Sequence, residues 1–283
     1  MQMKAGELTL AGFFIGADND LCPQPNSLSW VVVASARHRM NPMDDHDIHQ
    51  AFDQALPSQA WCLQPLVVAL VDVRGWRPCL PGASRLLDPA ENLRMQRKRK
   101  QGDREVLVLA YAMHRLLLGK TLGMDPGAVP LWRDAAGCPR VGGNLVHTSL
   151  SHAGDWIAMA VSRVGPVGVD IEPLSRTGML AEMAGDICHP SELVELESLA
   201  VDQHAGALLA LWVRKEALLK AAGTGLSVEM SSFAAPEGLV RPMPVLEGEL
   251  WLEMLDSGPS SLAALARPAG AISAVTLLPE ALR

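Results

Sequence analysis

The sequence predicts an α+β fold of two similar halves, each a helix packed on an antiparallel-rich sheet. Three observations carry this. Short β-branched runs such as Leu66 to Val73 have the length and composition of buried strands. Asp103 to Leu118 and Ala205 to Ala222 carry apolar residues at helical spacing. The strand-helix-strand pattern of residues 66 to 162 loosely recurs after 165. Residues 1–60 form an N-terminal extension of unknown role, 61–164 the N-terminal half and 165–283 the C-terminal half.

The extension lacks periodicity, and Asn41-Pro42-Met43-Asp44-Asp45-His46 reads as a loop, so irregular structure is expected there. Pro65 and the Arg74-Gly75 turn bound the first strand. Val106, Leu109, Ala110, Met113, Leu116 and Leu117 then define a helix that ends near Gly119, with Lys120 suited to a helix C-terminus. Trp156 to Ser162 and Gly165 to Ile171 read as two strands of a hairpin around Arg163-Val164-Gly165-Pro166. Glu192 to Leu199 is helical, and the helix from Ala205 stops at Gly223. Ser232 to Ala234, Glu249 to Met254 and Ala271 to Leu277 read as strands closing a sheet.

With 283 residues and 49% hydrophobic content the chain can bury a sizeable core. Asp72 interrupts its best apolar run, well short of the roughly 18 residues that span a bilayer, so no membrane span is expected. Leu8 to Ala17 mimics a signal-peptide core, but Glu7 precedes it and Lys4 is the one basic residue upstream, so it reads as ordinary sequence. Cys22, Cys62, Cys79, Cys138 and Cys188 are an odd number at wide spacings, which suits reduced thiols and a cytoplasmic protein. The 24 Lys and Arg against 31 Asp and Glu give a net charge of −7, which argues against general nucleic-acid binding.

Residues i and i+2 of a strand share a face, so Asp170 and Glu172 in Val167-Gly168-Val169-Asp170-Ile171-Glu172 present two carboxylates together while Val169 and Ile171 face the core. A hard cation, most simply Mg²⁺, satisfies such a pair. For an isolated Asp-x-Glu, a solvated strand end or a capping acid before Pro173 is the favoured reading. Downstream, Trp212, Glu216 and Lys220 share one helix stripe, drifting about 40° per step. That stripe offers a third carboxylate and an ammonium beside a phosphate; a surface Glu–Lys pair worth about 0.2–0.5 kcal/mol has the same spacing.

Taken together, Val-Gly-Val-Asp-Ile-Glu and Trp-x-x-Lys-Glu-x-x-x-Lys, about forty residues apart, resemble the two signature motifs of the 4′-phosphopantetheinyl transferases of the surfactin-synthetase-activating type. The resemblance extends through Ser149-Leu150-Ser151-His152, His189-Pro190-Ser191-Glu192 and Gly223-Thr224-Gly225-Leu226-Ser227, covering roughly 66 to 277. It implies a Mg²⁺-dependent (or Mn²⁺-dependent) enzyme that moves the 4′-phosphopantetheine arm of coenzyme A to a serine of an acyl or peptidyl carrier protein, releasing adenosine 3′,5′-bisphosphate. It also implies a monomer with pseudo-symmetric halves and the active site at their junction. Asp170, Glu172 and Glu216 match the metal-binding acids. Glu216 would also take the serine proton, Lys220 would stabilise charge at the phosphate, and Lys215 would reach toward the coenzyme A phosphates. His152, Ser151 and Arg104 match contacts to coenzyme A, the histidine at the 3′-phosphate.

The chain departs from the family at Gly137-Cys138-Pro139-Arg140, where relatives carry Gly-Lys-Pro or Gly-Arg-Pro. Arg140 is the expected substitute for the missing cation. Ser149 replaces a common Asn, with little consequence expected. Two other readings use the same residues: a metal-dependent phosphohydrolase, and a non-catalytic module that binds coenzyme A or a carrier protein. Carrier proteins are usually acidic, so this acidic chain would dock one through a local surface such as Arg94 to Lys100.

Overall fold

The computed structural model describes Val31–Val32 and residues 47–240, 248–271 and 273–278. Strand β1 (Val31–Val32) and helix α1 (Ile48–Ala55) precede β2 (Leu66–Asp72). The short α2 (Leu80–Ser84) and α3 (Pro89–Gln96) lead into the 22-residue α4 (Gln101–Leu122). Strands β3 (Leu131–Arg133) and β4 (Pro139–Val141) pair with each other, as do β5 (His147–Ala153) and β6 (Trp156–Ser162). After β7 (Gly168–Pro173) come α5 (Thr177–Leu180), α6 (Ala184–Ile187), α7 (Pro190–Ser198) and the 22-residue α8 (Val201–Ala222). The described chain closes with β8 (Gly238–Val240), β9 (Leu250–Leu255), β10 (Ser261–Pro268) and β11 (Ala274–Leu278).

These elements make the expected mixture of helices and largely antiparallel sheet. One sheet has the order β1-β11-β2-β6-β5 and the other β7-β10-β9-β8. Period-2 alternation explains how they stack. Leu66, Val68 and Leu70 of β2, with Ala158 and Ala160 of β6, meet Val169 and Ile171 of β7 and Ala263 and Leu265 of β10 between the sheets. The alternate residues Val67, Ala69, Val71, Ile157 and Met159 pack on Leu109, Met113 and Leu116 of α4. On the far side, Ala264, Ala266 and Leu252 pack against α8. The layers therefore run α4, first sheet, second sheet, α8. Burial of β2 on both faces accounts for its unbroken apolar run.

Several expectations change. Helix α4 runs through Gly119 and stops at Gly123, which adopts φ +68. Gly119 serves packing instead, because a Cβ there would fall 2.9 Å from the Met124 carbonyl oxygen. Strands β6 and β7 are not a hairpin: β6 pairs with β2 and β5, while β7 crosses to the other sheet and pairs with β10. The inward residues Val167, Val169 and Ile171 gain more by covering the first sheet than by extending it. Residues 230–232 form a 3-10 turn in place of the expected strand, and the last strand is β11, parallel to β2. Strand β10, central to its sheet, escaped the sequence reading because Ala263, Ala264 and Ala266 have low strand propensity; only small side chains fit between these layers.

Within the stretch expected to be irregular, Asp47 caps α1, and Ile48 and Phe52 bury into the α4 layer. The 41–46 loop, the 8–17 segment and Cys22 lie outside the described residues. Cys62, Cys79, Cys138 and Cys188 are free thiols. Among the described residues no helix is long and apolar enough to cross a membrane.

Gly168 fixes how closely β7 approaches α8: a Cβ there would collide with the Ala217 carbonyl oxygen and crowd the Ala221 nitrogen, both helix backbone atoms. Gly168→Ala should therefore lower the unfolding free energy by about 3 kcal/mol or more. Gly206→Ala, in α8 with open space around it, should raise it by about 0.5–1 kcal/mol. Urea denaturation of both variants checks this, and a wild-type midpoint for Gly168→Ala would contradict the close approach.

Candidate active site

The alternation that turns Val169 and Ile171 toward the first sheet turns Asp170 and Glu172 toward α8. Both carboxylates are buried, at 3% and 6% exposure. Burial of anions needs compensation, and cations supply part of it. Lys220 Nζ lies 2.6 Å from Asp170 Oδ1. Arg176 pairs with Glu172 Oε1 and stacks its guanidinium 4.8 Å from the Trp212 ring centroid. Ser151 Oγ donates to Asp170 Oδ1 at 2.6 Å.

The compensation is incomplete. Asp170 Oδ2 and Glu172 Oε2 are buried without a hydrogen-bond partner. Two orphaned carboxylate oxygens on one strand face are the donor set a hard cation takes. Burial, and then the Asp170 charge, push Glu172 up to about 7, against the opposing pull of Arg176 and Lys220. Burial first and Asp170 second also raise Glu216 above the ordinary glutamate value. Asp170, Glu172, Glu216 and Lys220 thus form one electrostatic group. The three acids do not converge on a point, however: among the described residues no group of three or more His, Cys, Asp or Glu could hold a metal ion. The pair on β7, completed by waters and substrate phosphates, fits Mg²⁺, which commonly takes only one or two protein carboxylates.

Strand β5 closes the site along a seam between the two sheets. Its Ser149 Oγ accepts from Val169 N at 3.1 Å, two residues from the Ser151–Asp170 bond. Ser149, expected to matter little, therefore ties β5 to β7. His152 follows on β5. Burial above all, and then the charges of Lys98, Lys220 and Arg133, hold it down to about 4, so it is neutral at pH 7.

The remaining expected residues fall outside this cluster. Arg104 is exposed at the start of α4 and donates from Nε to the Lys98 carbonyl at 2.7 Å. Arg140 binds Asp134 at 2.8 Å and lies against Gly223 beyond α8. Lys215 requires a correction. It is fully buried, and its ammonium is taken up by Glu192 at 2.6 Å and the carbonyls of Met230 at 2.7 Å and Phe233 at 2.6 Å. With all three N–H donors used, it cannot reach a coenzyme A phosphate. Successive helix residues point about 100° apart, so Glu216 faces the site and Lys215 faces α7. There Glu192 caps α7 at His189 N and accepts from Ala235 N at 2.7 Å. Sequence reasoning missed Arg176, whose only signal was its place four residues after Glu172.

Comparison with known proteins bears on the same stretch. Residues 166–243, which include Asp170, Glu172, Glu216 and Lys220, match the model of the 4′-phosphopantetheinyl transferase superfamily. A 4′-phosphopantetheinyl transferase of Bacillus subtilis is 32% identical over 131 residues, 43% of this chain and 57% of that protein. Another from Aneurinibacillus migulanus is 33% identical over 88 residues, 31% of this chain and 36% of that protein. A phosphopantetheinyl transferase of Thraustochytrium is 28% identical over 215 residues, 70% of this chain and 69% of that protein. The first two alignments thus span about half or less of the relatives' length.

Removing one partner of a buried ion pair strands the other. Lys215→Met and Glu192→Gln should each cost about 3–5 kcal/mol in chemical denaturation, with the double variant costing less than the sum. A Lys215→Met protein as stable as wild type would refute the structural role.

Proposed function

Because residues 166–243 match the model of the 4′-phosphopantetheinyl transferase superfamily, we propose that the chain is such a transferase and moves the 4′-phosphopantetheine arm of coenzyme A to a serine of an acyl or peptidyl carrier protein, releasing adenosine 3′,5′-bisphosphate. The observation that carries this reading is the pair of partnerless buried oxygens, Asp170 Oδ2 and Glu172 Oε2, beside Lys220. They would hold Mg²⁺, or Mn²⁺ in its place. Bound there, the ion would neutralise pyrophosphate charge and orient it for displacement.

The chain's own residues then have defined tasks. The serine oxygen forms a bond to the pantetheine-bearing phosphorus as the bridging pyrophosphate bond breaks, and the hydroxyl proton needs an acceptor. Glu216, raised by burial, is better matched to that task than an ordinary surface glutamate. Lys220 spends one donor on Asp170 and has two left for phosphate oxygens. Asp170, positioned by Ser151 and Lys220, keeps one oxygen free for the cation. Arg97, Lys98, Arg99 and Lys100 are exposed and offer an acidic carrier a basic surface.

Further parts of the reading are the halves as repeats of one unit, and a monomer working in the cytoplasm. The strand pairing supports the first: β2 pairs antiparallel with β6 and β7 antiparallel with β10, each pair with a 22-residue helix between its strands in sequence. A two-metal phosphohydrolase would need a richer ligand set than the described residues assemble.

Incubation with coenzyme A, Mg²⁺ and an apo carrier protein should add one phosphopantetheine to the carrier, read by mass spectrometry. Glu216→Gln should slow this about 10²–10⁴-fold at an unchanged unfolding midpoint. No adduct on any of several carriers would sink the assignment, and near-normal turnover by Glu216→Gln would remove its role as base.

A further inference from the structure

The Gly137-Cys138-Pro139 turn lacks a cation, and the hairpin around it carries two arginines that face opposite ways. Trp132 pairs with Arg140, and Arg133 with Pro139. Directly opposed residues share a face and adjacent ones do not, so Arg133 and Arg140 lie on opposite sides of the ribbon. Arg140 is neutralised by Asp134 and lies by Gly223. It lines a cleft of about 330 Å³ with Trp132 and His147.

Arg133 faces α4. Its guanidinium stacks over the buried Tyr111 ring, 5.1 Å from the centroid, and Nη1 donates to the Gly137 carbonyl at 2.9 Å. That bond anchors it to the turn where the cation is missing. Among the described residues no carboxylate pairs with it, and four of its five N–H donors are uncommitted. Other partly buried arginines have acids: Arg115 has Asp88 and Glu91, Arg77 has Glu105 and Asp155, Arg267 has Glu253. A guanidinium partly removed from water with no carboxylate in contact gains when an anion arrives. The stacked plane with a free fork suits bidentate contact to phosphate. Its charge, with those of Lys98 and Lys220, bears on His152, whereas Arg140 bears on His147.

We propose that Arg133, not Arg140, supplies the phosphate-binding cation that the Gly137-Cys138-Pro139 turn lacks, taking the 3′-phosphate of coenzyme A beside His152 and Lys98. The assignment rests on the coenzyme A reading above and names the residue that recognises the nucleotide end.

Calorimetric titration of the full chain with coenzyme A and with 3′-dephospho-coenzyme A, without divalent metal, tests it. Wild type should prefer the 3′-phosphorylated form. Arg133→Gln should weaken coenzyme A binding about tenfold or more and erase the preference, while Arg133→Lys, keeping charge but losing the fork, should retain part of it. Thermal unfolding checks that the variants are folded, and the lysine variant carries the comparison if the glutamine one is not. Full preference in Arg133→Gln, or its loss in Arg140→Gln instead, overturns the proposal. Wild type binding neither ligand would fail the coenzyme A reading itself, and this assignment with it.

Discussion

Strand β7 lies so close under α8 that the residue at 168 has no room for a side chain. Once that distance is set, period-2 alternation places Asp170 and Glu172 against the same helix, one and two steps along the strand. Helical geometry then turns Glu216 and Lys220 toward them from above. The Gly in Val-Gly-Val-Asp-Ile-Glu is therefore as much a part of the site as the acids, although it takes no part in chemistry. The buried Lys215–Glu192 pair holds the other side of α8 to α7 and fixes the helix that carries Glu216.

Electrostatics follow from that packing. Burial, and then repulsion by the Asp170 carboxylate two residues away, push Glu172 up to about 7 even with Arg176 upon it. Lys220 and Arg176 satisfy one oxygen of each acid, leaving the other for a cation. Arg176 is held at once by Glu172 and by the Trp212 face, so the Trp of the helix motif supports the acid of the strand motif. The seam serines on β5 link the two sheets where the acids need support.

The grouping of Asp170, Glu172, Glu216 and Lys220 was legible in part because they lie on regular elements with fixed periods. Alternation along β7 pairs the first two and the four-residue step on α8 pairs the others, but only the resemblance of the two motifs joined the pairs, and Arg104, Arg140 and Lys215 fall outside the cluster. What was not legible depended on partners distant in sequence. Nothing local says that β7 pairs with β10 rather than β6, or that Lys215 meets Glu192 and the 230–233 carbonyls. The alanines of β10 and the pass through Gly119 are choices made by packing, which overrides local propensity. The two hairpin arginines separate only once the register of β3 and β4 is known.

The central claim is that Asp170 and Glu172 hold a divalent cation through the oxygens that lack protein partners. Electron paramagnetic resonance of Mn²⁺ titrated into the protein with coenzyme A present tests it without turnover. The account predicts one bound ion per chain in wild type, with affinity lowered by more than about tenfold in Asp170→Asn and in Glu172→Gln. Wild-type Mn²⁺ binding in both variants would contradict it.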